Sequence, residues 1–152
     1  MANRIIIMRH AKSSWDFPNL SDHDRPLNKR GLRDAPRIAD ELVKREWNPD
    51  LILVSSSVRT KQTLESMSHQ FGDVTSIIKP EIYHASLQDL LIVLEEIIEE
   101  GTTMILGHNP GSEMLVKHLS DQWQIMPTAS AALLSKSGKN WKLHEIIRPK
   151  EI

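Results

Sequence analysis

Four short segments that read as strands, Ile5–Met8, Leu51–Val54, Val74–Ile78 and Thr103–Leu106, alternate with helical stretches, and this alternation constrains the fold more than any other feature of the chain. Ile5–Met8 and Leu51–Val54 read as buried strands, short and bounded by charge or turn residues; Val74–Ile78, stopped by Lys79-Pro80, and Thr103–Leu106 are the third and fourth expected strands. Between the first two, apolar residues at 32, 35, 38, 39, 42 and 43 give Leu32–Trp47 helical spacing. Pro36 sits badly inside that stretch, so regular helix is expected to start near it. Thr60–Phe71 is a second expected helix. Leu87–Glu99 is the clearest, with Leu87, Leu90, Leu91, Leu94, Ile97 and Ile98 on one face, Ser86 as N-cap, Asp89 three residues on, and Gly101 closing the far end. A fourth helix is expected from about Ser112 to Leu119. The last part changes character, because Ala129–Leu134 and Trp141–Ile146 flank a polar stretch, Ser135–Asn140, that reads as a hairpin loop. The order predicts an α/β fold of three layers, α/β/α, with a mostly parallel sheet, helices on both faces and an antiparallel C-terminal hairpin. The 152 residues contain no linker, internal repeat or low-complexity segment, so a single domain over 1–152 is expected.

In open α/β sheets, ligands bind beyond the carboxyl ends of the strands. Three of the four expected parallel strands deliver cationic or imidazole groups there: Arg9 and His10 after the first, Arg59 after the second, His108 after the fourth. A guanidinium presents a planar fork of donors that matches phosphate oxygens. An imidazole is partly unprotonated at neutral pH and can act as a nucleophile. The segments Ser55-Ser56-Ser57 and Asn109-Pro110-Gly111-Ser112 each place free backbone N–H groups at a helix start, which also favours an anion. Singly, each residue has an ordinary reading as a surface charge or a strand-end polar group. One dianion pocket accounts for all of them together, and it needs no metal.

Other function classes find little support. Nineteen basic against twenty acidic residues leave a net charge of −1, so no global field recruits nucleic acid or acidic membranes. The absence of Cys excludes disulfides, thiolate metal sites and thiol nucleophiles. The apolar run after Arg4 is too short for a signal-peptide core or a membrane span, and a cytoplasmic setting is expected. None of the seven histidines stands at His-x-His or His-x-x-x-His spacing. There is no Gly-x-x-x-x-Gly-Lys-Ser/Thr loop and no Gly-x-Ser-x-Gly elbow. Trp15, Trp47, Trp123 and Trp141 are scattered, which argues against a stacking platform for single-stranded nucleic acid; Trp15 lies near His10 and is a candidate pocket wall.

Five segments carry a resemblance to a known family: Met8-Arg9-His10-Ala11-Lys12-Ser13, Asp24-Arg25-Pro26-Leu27 with Gly31, Ser55-Ser56-Ser57-Val58-Arg59-Thr60-Lys61-Gln62-Thr63, Gly107-His108-Asn109-Pro110-Gly111, and Met126-Pro127-Thr128-Ala129. In that order they resemble the histidine phosphatase superfamily, the phosphoglycerate-mutase-like fold, and within it the SixA-type phosphohistidine phosphatase branch. The resemblance implies that His10 is the nucleophile that becomes transiently phosphorylated, while Arg9, Arg59 and His108 bind the transferring phosphoryl group. Such transfer is mainly positioning and charge stabilisation. His10 must be neutral to attack, with its other ring nitrogen bonded to an acceptor such as a backbone carbonyl. His108 would be charged when phosphate is bound.

Two positions depart from the wider pattern. Ala11 follows the nucleophile where many members have Gly, as is usual in the SixA-like branch. Asp16 stands where many members place an Asn that touches phosphate; ionised, it would repel a dianion, and protonated it is a candidate general acid. Glu81, just after the third strand and before Tyr83-His84, is the other candidate acid. Lys12, Lys29, Arg30 and Arg33 are candidates to line the entrance and steer an anionic partner. The expected function is a metal-independent phosphatase without cofactor, acting on phosphohistidine borne by a signalling protein. The alternatives are a phosphatase or mutase of a small phosphorylated metabolite and, from another class, a phosphate- or phosphoprotein-binding module without turnover.

Overall fold

The computed structural model describes residues 3–152. The expected strands form as β1 (Asn3–Arg9), β2 (Leu51–Val54), β3 (Thr75–Ile78) and β4 (Gly101–Gly107), followed by the hairpin β5 (Ala131–Ser137) and β6 (Asn140–Ile147). They make one six-stranded sheet in the order β3-β2-β4-β1-β5-β6. The first four strands are mutually parallel, and β5 and β6 are antiparallel additions. The helices are α1 (Lys29–Lys44), α2 (Val58–Phe71), α3 (Leu87–Val93) and α4 (Gly111–Ser120). Among the described residues no helix is long and apolar enough to cross a membrane.

Strand alternation sorts the core onto two faces. Ile6, Met8, Ile52, Val54, Met104 and Leu106 pack with Ala35, Ile38 and Leu42 of α1 and Met67 of α2. Ile5, Ile7, Leu53 and Ile105 point the other way, toward Leu90 and Val93 of α3 and Leu115 and Val116 of α4. Both faces of β4 are therefore covered and the whole strand is buried, whereas β3 at the sheet edge is exposed throughout. β1 pairs with β4 in parallel, yet α1 after β1 and α4 after β4 lie on opposite faces. That divergence opens a crevice above the carboxyl ends of these strands, the usual ligand position in such sheets.

Three expectations are corrected. Regular helix in α1 begins at Lys29, well before Pro36, because Asn28 caps it by accepting from the Gly31 amide at 2.9 Å. The carbonyl that Pro36 deprives of an intrahelical donor belongs to exposed Leu32. The buried stripe is Gly31, Asp34, Ala35, Ile38, Ala39 and Leu42; Leu32 and Val43, expected in it, face outward. Its phase is set by Gly31, where a Cβ would strike the Lys12 carbonyl, and by Asp34, whose buried carboxylate draws in Arg30, Arg33 and Arg37.

The second correction concerns α3, which has the expected Ser86–Asp89 capping box but ends at Val93. A 3-10 turn, Leu94–Glu96, and an extended Ile97 follow. The chain must reverse within these few residues to enter β4, and Lys79 grips Glu96 at 2.7 Å. Gly101 does not close α3; it opens β4 with φ 120°. Thirdly, the hairpin loop is only Gly138-Lys139. Gly138 supplies φ 62° at the first loop position, so Ser135, Lys136 and Ser137 pair across to Lys142, Trp141 and Asn140.

Candidate active site

His10 leaves the end of β1 with its backbone fixed on both sides. Its amide donates to Gly107 O at 2.9 Å, and its carbonyl accepts from the Ala129 amide at 2.9 Å. The imidazole is buried, and its Nδ1–H donates to Ala11 O at 2.6 Å. A carbonyl can only accept, so this bond puts the proton on Nδ1 and the lone pair on Nε2. The next residues are held by α2: Ala11 N donates to Thr63 Oγ1 at 3.0 Å, and Leu27 N to Gln62 Oε1 at 2.8 Å. Thr63 and Gln62 thus belong with Arg59 because they tie the loop after β1 to the helix that carries the arginine.

Arg9, Arg59 and His108 meet His10 around a cavity of about 340 Å³ whose other walls are Lys12, Ser13, Trp15, Arg25, His84, Asn109 and Thr128. Arg59 and His108 are buried, and the His10 and His108 rings lie 5.2 Å apart. His108 Nε2 bonds Ser55 Oγ at 2.8 Å. Arg9 Nη1 donates to Met126 O at 3.1 Å. Arg9 Nε, Arg59 Nε and His108 Nδ1 are buried without a hydrogen-bond partner. Buried polar atoms are rarely left so, and three of them in residues lining one cationic cavity describe a seat for an oxyanion.

Burial and charge decide protonation. Burial, with the Arg59, Arg9 and Arg25 guanidiniums outweighing the Ala11 bond, pushes His10 down to about 4. Burial first, then His10, Arg59 and His84, pushes His108 down to about 3. Both rings are therefore neutral at pH 7 in the free protein. A bound dianion opposes that bias at His108 and favours its charged form.

The two candidate acids are not at this cavity. Asp16 is exposed and lines a separate depression with Asn28, Lys29 and Arg30. Glu81 is exposed and paired with Lys79 at 3.1 Å. The hydrogen bond to its own amide and then Lys79 hold its carboxyl below the ordinary range, so it stays ionised. Of the four candidate entrance cations, Lys12 lines the cavity; Arg30 and Arg33 are paired with Asp34, and Lys29 lies on the Asp16 depression.

The sequence reading missed Asp22. Its Oδ2 accepts from Arg59 Nη2 at 3.0 Å and Tyr83 OH at 2.6 Å, and His84 Nε2 lies within ion-pair distance of it at 3.3 Å; its Oδ1 accepts from Arg25, and its carbonyl from Arg59 Nη1 at 2.6 Å. Tyr83 first, then Arg59, hold this carboxylate far below its usual range. Arg25 in turn stacks on Trp15, 3.6 Å from the ring centroid. Only the density of polar residues in Asp22-His23-Asp24-Arg25 signalled this role, and it does not distinguish a site from a solvated loop. Glu113 was missed likewise: it accepts from Asn109 Nδ2 and from Met126 N, both at 2.8 Å, tying Asn109 of the cavity wall to the residue whose carbonyl receives Arg9.

A doubly wound α/β sheet with two arginines and two neutral histidines around a cavity at the ends of its strands defines a phosphoglycerate-mutase-like fold. The sequence profile of the histidine phosphatase superfamily (branch 1) matches residues 5–103, and the chain belongs to that superfamily. Membership supports phosphatase activity. An uncharacterized chloroplastic protein of Arabidopsis thaliana is 38% identical over 93% of this chain and 70% of its own length. The structure assigned as the phosphohistidine phosphatase SixA of Agrobacterium tumefaciens is 30% identical, covers 98% of this chain and 99% of its own, and superposes with a TM-score of 0.87. The protein histidine phosphatase SixA complexed with tungstate, 22% identical over 97% of this chain and 98% of its own, shares the fold with a TM-score of 0.85.

Proposed function

We propose that this protein is a metal-independent phosphatase that works through a phosphohistidine at His10 and acts on phosphohistidine carried by a signalling protein in the cytoplasm. The observation that carries the reading is the buried, neutral His10, its Nδ1–H committed to Ala11 O, beside Arg9 Nε, Arg59 Nε and His108 Nδ1 without partners. The nucleophile is held in the attacking tautomer, and the residues that carry the unpartnered atoms line the cavity in which an oxyanion would sit. In this reading Arg9, Arg59 and His108 neutralise the transferring group, which leaves no charge for a metal to balance. The similarity to the SixA-assigned structure over nearly the whole chain supports a phosphohistidine substrate.

The test is a rapid quench without acid after mixing with labelled phosphoramidate or phosphohistidine, in the presence of a chelator. Acid-labile, alkali-stable label should form on the wild type and decay with turnover; His10→Ala should form none and lose turnover while retaining some vanadate affinity. Label on His10→Ala would remove the nucleophile assignment. Loss of activity in chelator that a divalent ion restores would remove metal independence. Turnover confined to small phosphate esters would favour a metabolite phosphatase, and binding without any turnover would favour a phosphate-binding module.

A further inference from the structure

Phosphoryl transfer to His10 leaves an electron pair on the departing atom, and both carboxylates suggested by the sequence as proton donors lie away from the cavity. We propose that His84 gives and retrieves this proton, with Asp22 as its positioning residue. The assignment rests on the phosphatase reading above.

Four observations support it. His84 lines the oxyanion cavity, and with His108 and Asn109 it also borders an apolar cavity of about 280 Å³ next to it. It therefore stands where a leaving group would pass from the phosphate seat. Its Nε2 lies 3.3 Å from Asp22 Oδ2, which leaves Nδ1 free to exchange a proton with substrate or water. Asp22 Oδ2 also receives Arg59 and Tyr83, so one carboxylate oxygen couples His84 to a candidate phosphate-binding arginine. The imidazole is stacked on Tyr83 with centroids 4.0 Å apart and planes inclined by 18°. Finally, His84 has φ 52°, a left-handed conformation that L-residues adopt at some cost and that recurs at functional sites. The surroundings thus fix this ring, although its side chain is 64% exposed.

The protons and electrons balance over two steps. First, His10 Nε2 forms a bond to phosphorus while the bond from phosphorus to the leaving oxygen or nitrogen breaks; the electron pair released takes the proton from His84 Nδ1. Second, water attacks the phosphohistidine, giving its proton to His84 Nδ1. The N–P bond then breaks, its pair returns to His10, and inorganic phosphate leaves. Arranging an imidazole between a carboxylate and the reacting atom is the logic by which catalytic histidines are oriented.

The test compares kcat/KM for phenyl phosphate and p-nitrophenyl phosphate, because p-nitrophenolate departs readily without a proton and phenolate does not. His84→Asn suits the experiment, since Asn tolerates the left-handed backbone. His84→Asn should lose about 100-fold or more on phenyl phosphate and less than about tenfold on p-nitrophenyl phosphate. Asp22→Asn should skew in the same direction, because a residue that merely held Arg59 would slow both substrates alike. Equal losses on the two substrates, or no loss on phenyl phosphate, would overturn the assignment. A wild type that hydrolyses neither ester and takes no label from phosphoramidate would instead overturn the phosphatase reading, and the assignment with it.

Discussion

At the scale of single residues, the site is built by denying water to groups that want it. His10 and His108 are kept neutral chiefly by burial, while Asp22, gathering Tyr83, Arg59 and Arg25, is kept ionised. This arrangement has a consequence for stability. In the unfolded chain both histidines titrate near 6.5, whereas in the folded protein they resist protonation down to about 4 and about 3. Below pH 6.5 the unfolded state therefore binds more protons, and stability falls with pH through that window. Each group contributes a slope of up to about 1.4 kcal/mol per pH unit. Urea unfolding at pH 7, 6 and 5 should show a shallower loss for His10→Gln and His108→Gln than for the wild type. Identical slopes would mean that the rings are not protected from protonation.

At the scale of elements, the loop after β1 is held in place by its neighbours more than by its own sequence. Thr63 and Gln62 of α2 bind it from one side, and Asn28 N donates to Lys12 O at 3.0 Å from the other. Gly31 then lets the first turn of α1 lie directly against the Lys12 backbone. A methyl group there meets backbone, which cannot swing aside. Gly31→Ala should destabilise by about 1–3 kcal/mol despite its better helix propensity. Phosphatase activity should fall with it, because the displaced loop carries Lys12 two residues from His10. A gain in thermal stability with unchanged kcat would show that α1 can move away freely.

At the scale of the whole molecule, the fully buried β4 lies between two apolar clusters, one under α1 and α2 and the other under α3 and α4. We propose that residues 1–152 form one domain in which the sheet makes both clusters unfold together. Leu42 lies in the first and Leu115 in the second, and both are completely buried. Leu42→Ala and Leu115→Ala should each cost about 2–5 kcal/mol. Their effects should add to within about 0.5 kcal/mol, and each variant should keep a single denaturant transition by fluorescence and circular dichroism alike. Two separable transitions would divide the molecule at the sheet.

The alternation of Ile5–Met8, Leu51–Val54, Val74–Ile78 and Thr103–Leu106 with helical segments was sufficient for a mostly parallel sheet with an antiparallel hairpin. For β1, β2 and β4, burial leaves a local signature, a short apolar run between breakers, whereas the exposed edge strand β3 was marked by its β-branched residues and the Lys79-Pro80 stop. Arg9, His10, Arg59 and His108 were legible for a related reason, since each directly follows such a run or opens the helix after it, and topology carries strand ends to one side. Local pattern failed where the deciding partner was distant in the chain. Asn28 starts α1 ahead of Pro36, and the buried phase of the helix follows Lys12 and Asp34 more than the spacing of leucines. The return into β4 cuts α3 short although its apolar periodicity continues. Most of all, the carboxylate at the site is Asp22, more than thirty residues from Arg59 and about sixty from Tyr83 and His84. Sequence alone determines which segments can be strands and which side chains stand at their ends, because those properties depend on near neighbours. Which carboxylate is drawn to those side chains, and which is left in solvent as Glu81 and Asp16 are, depends on contacts that form only when the loops fold together.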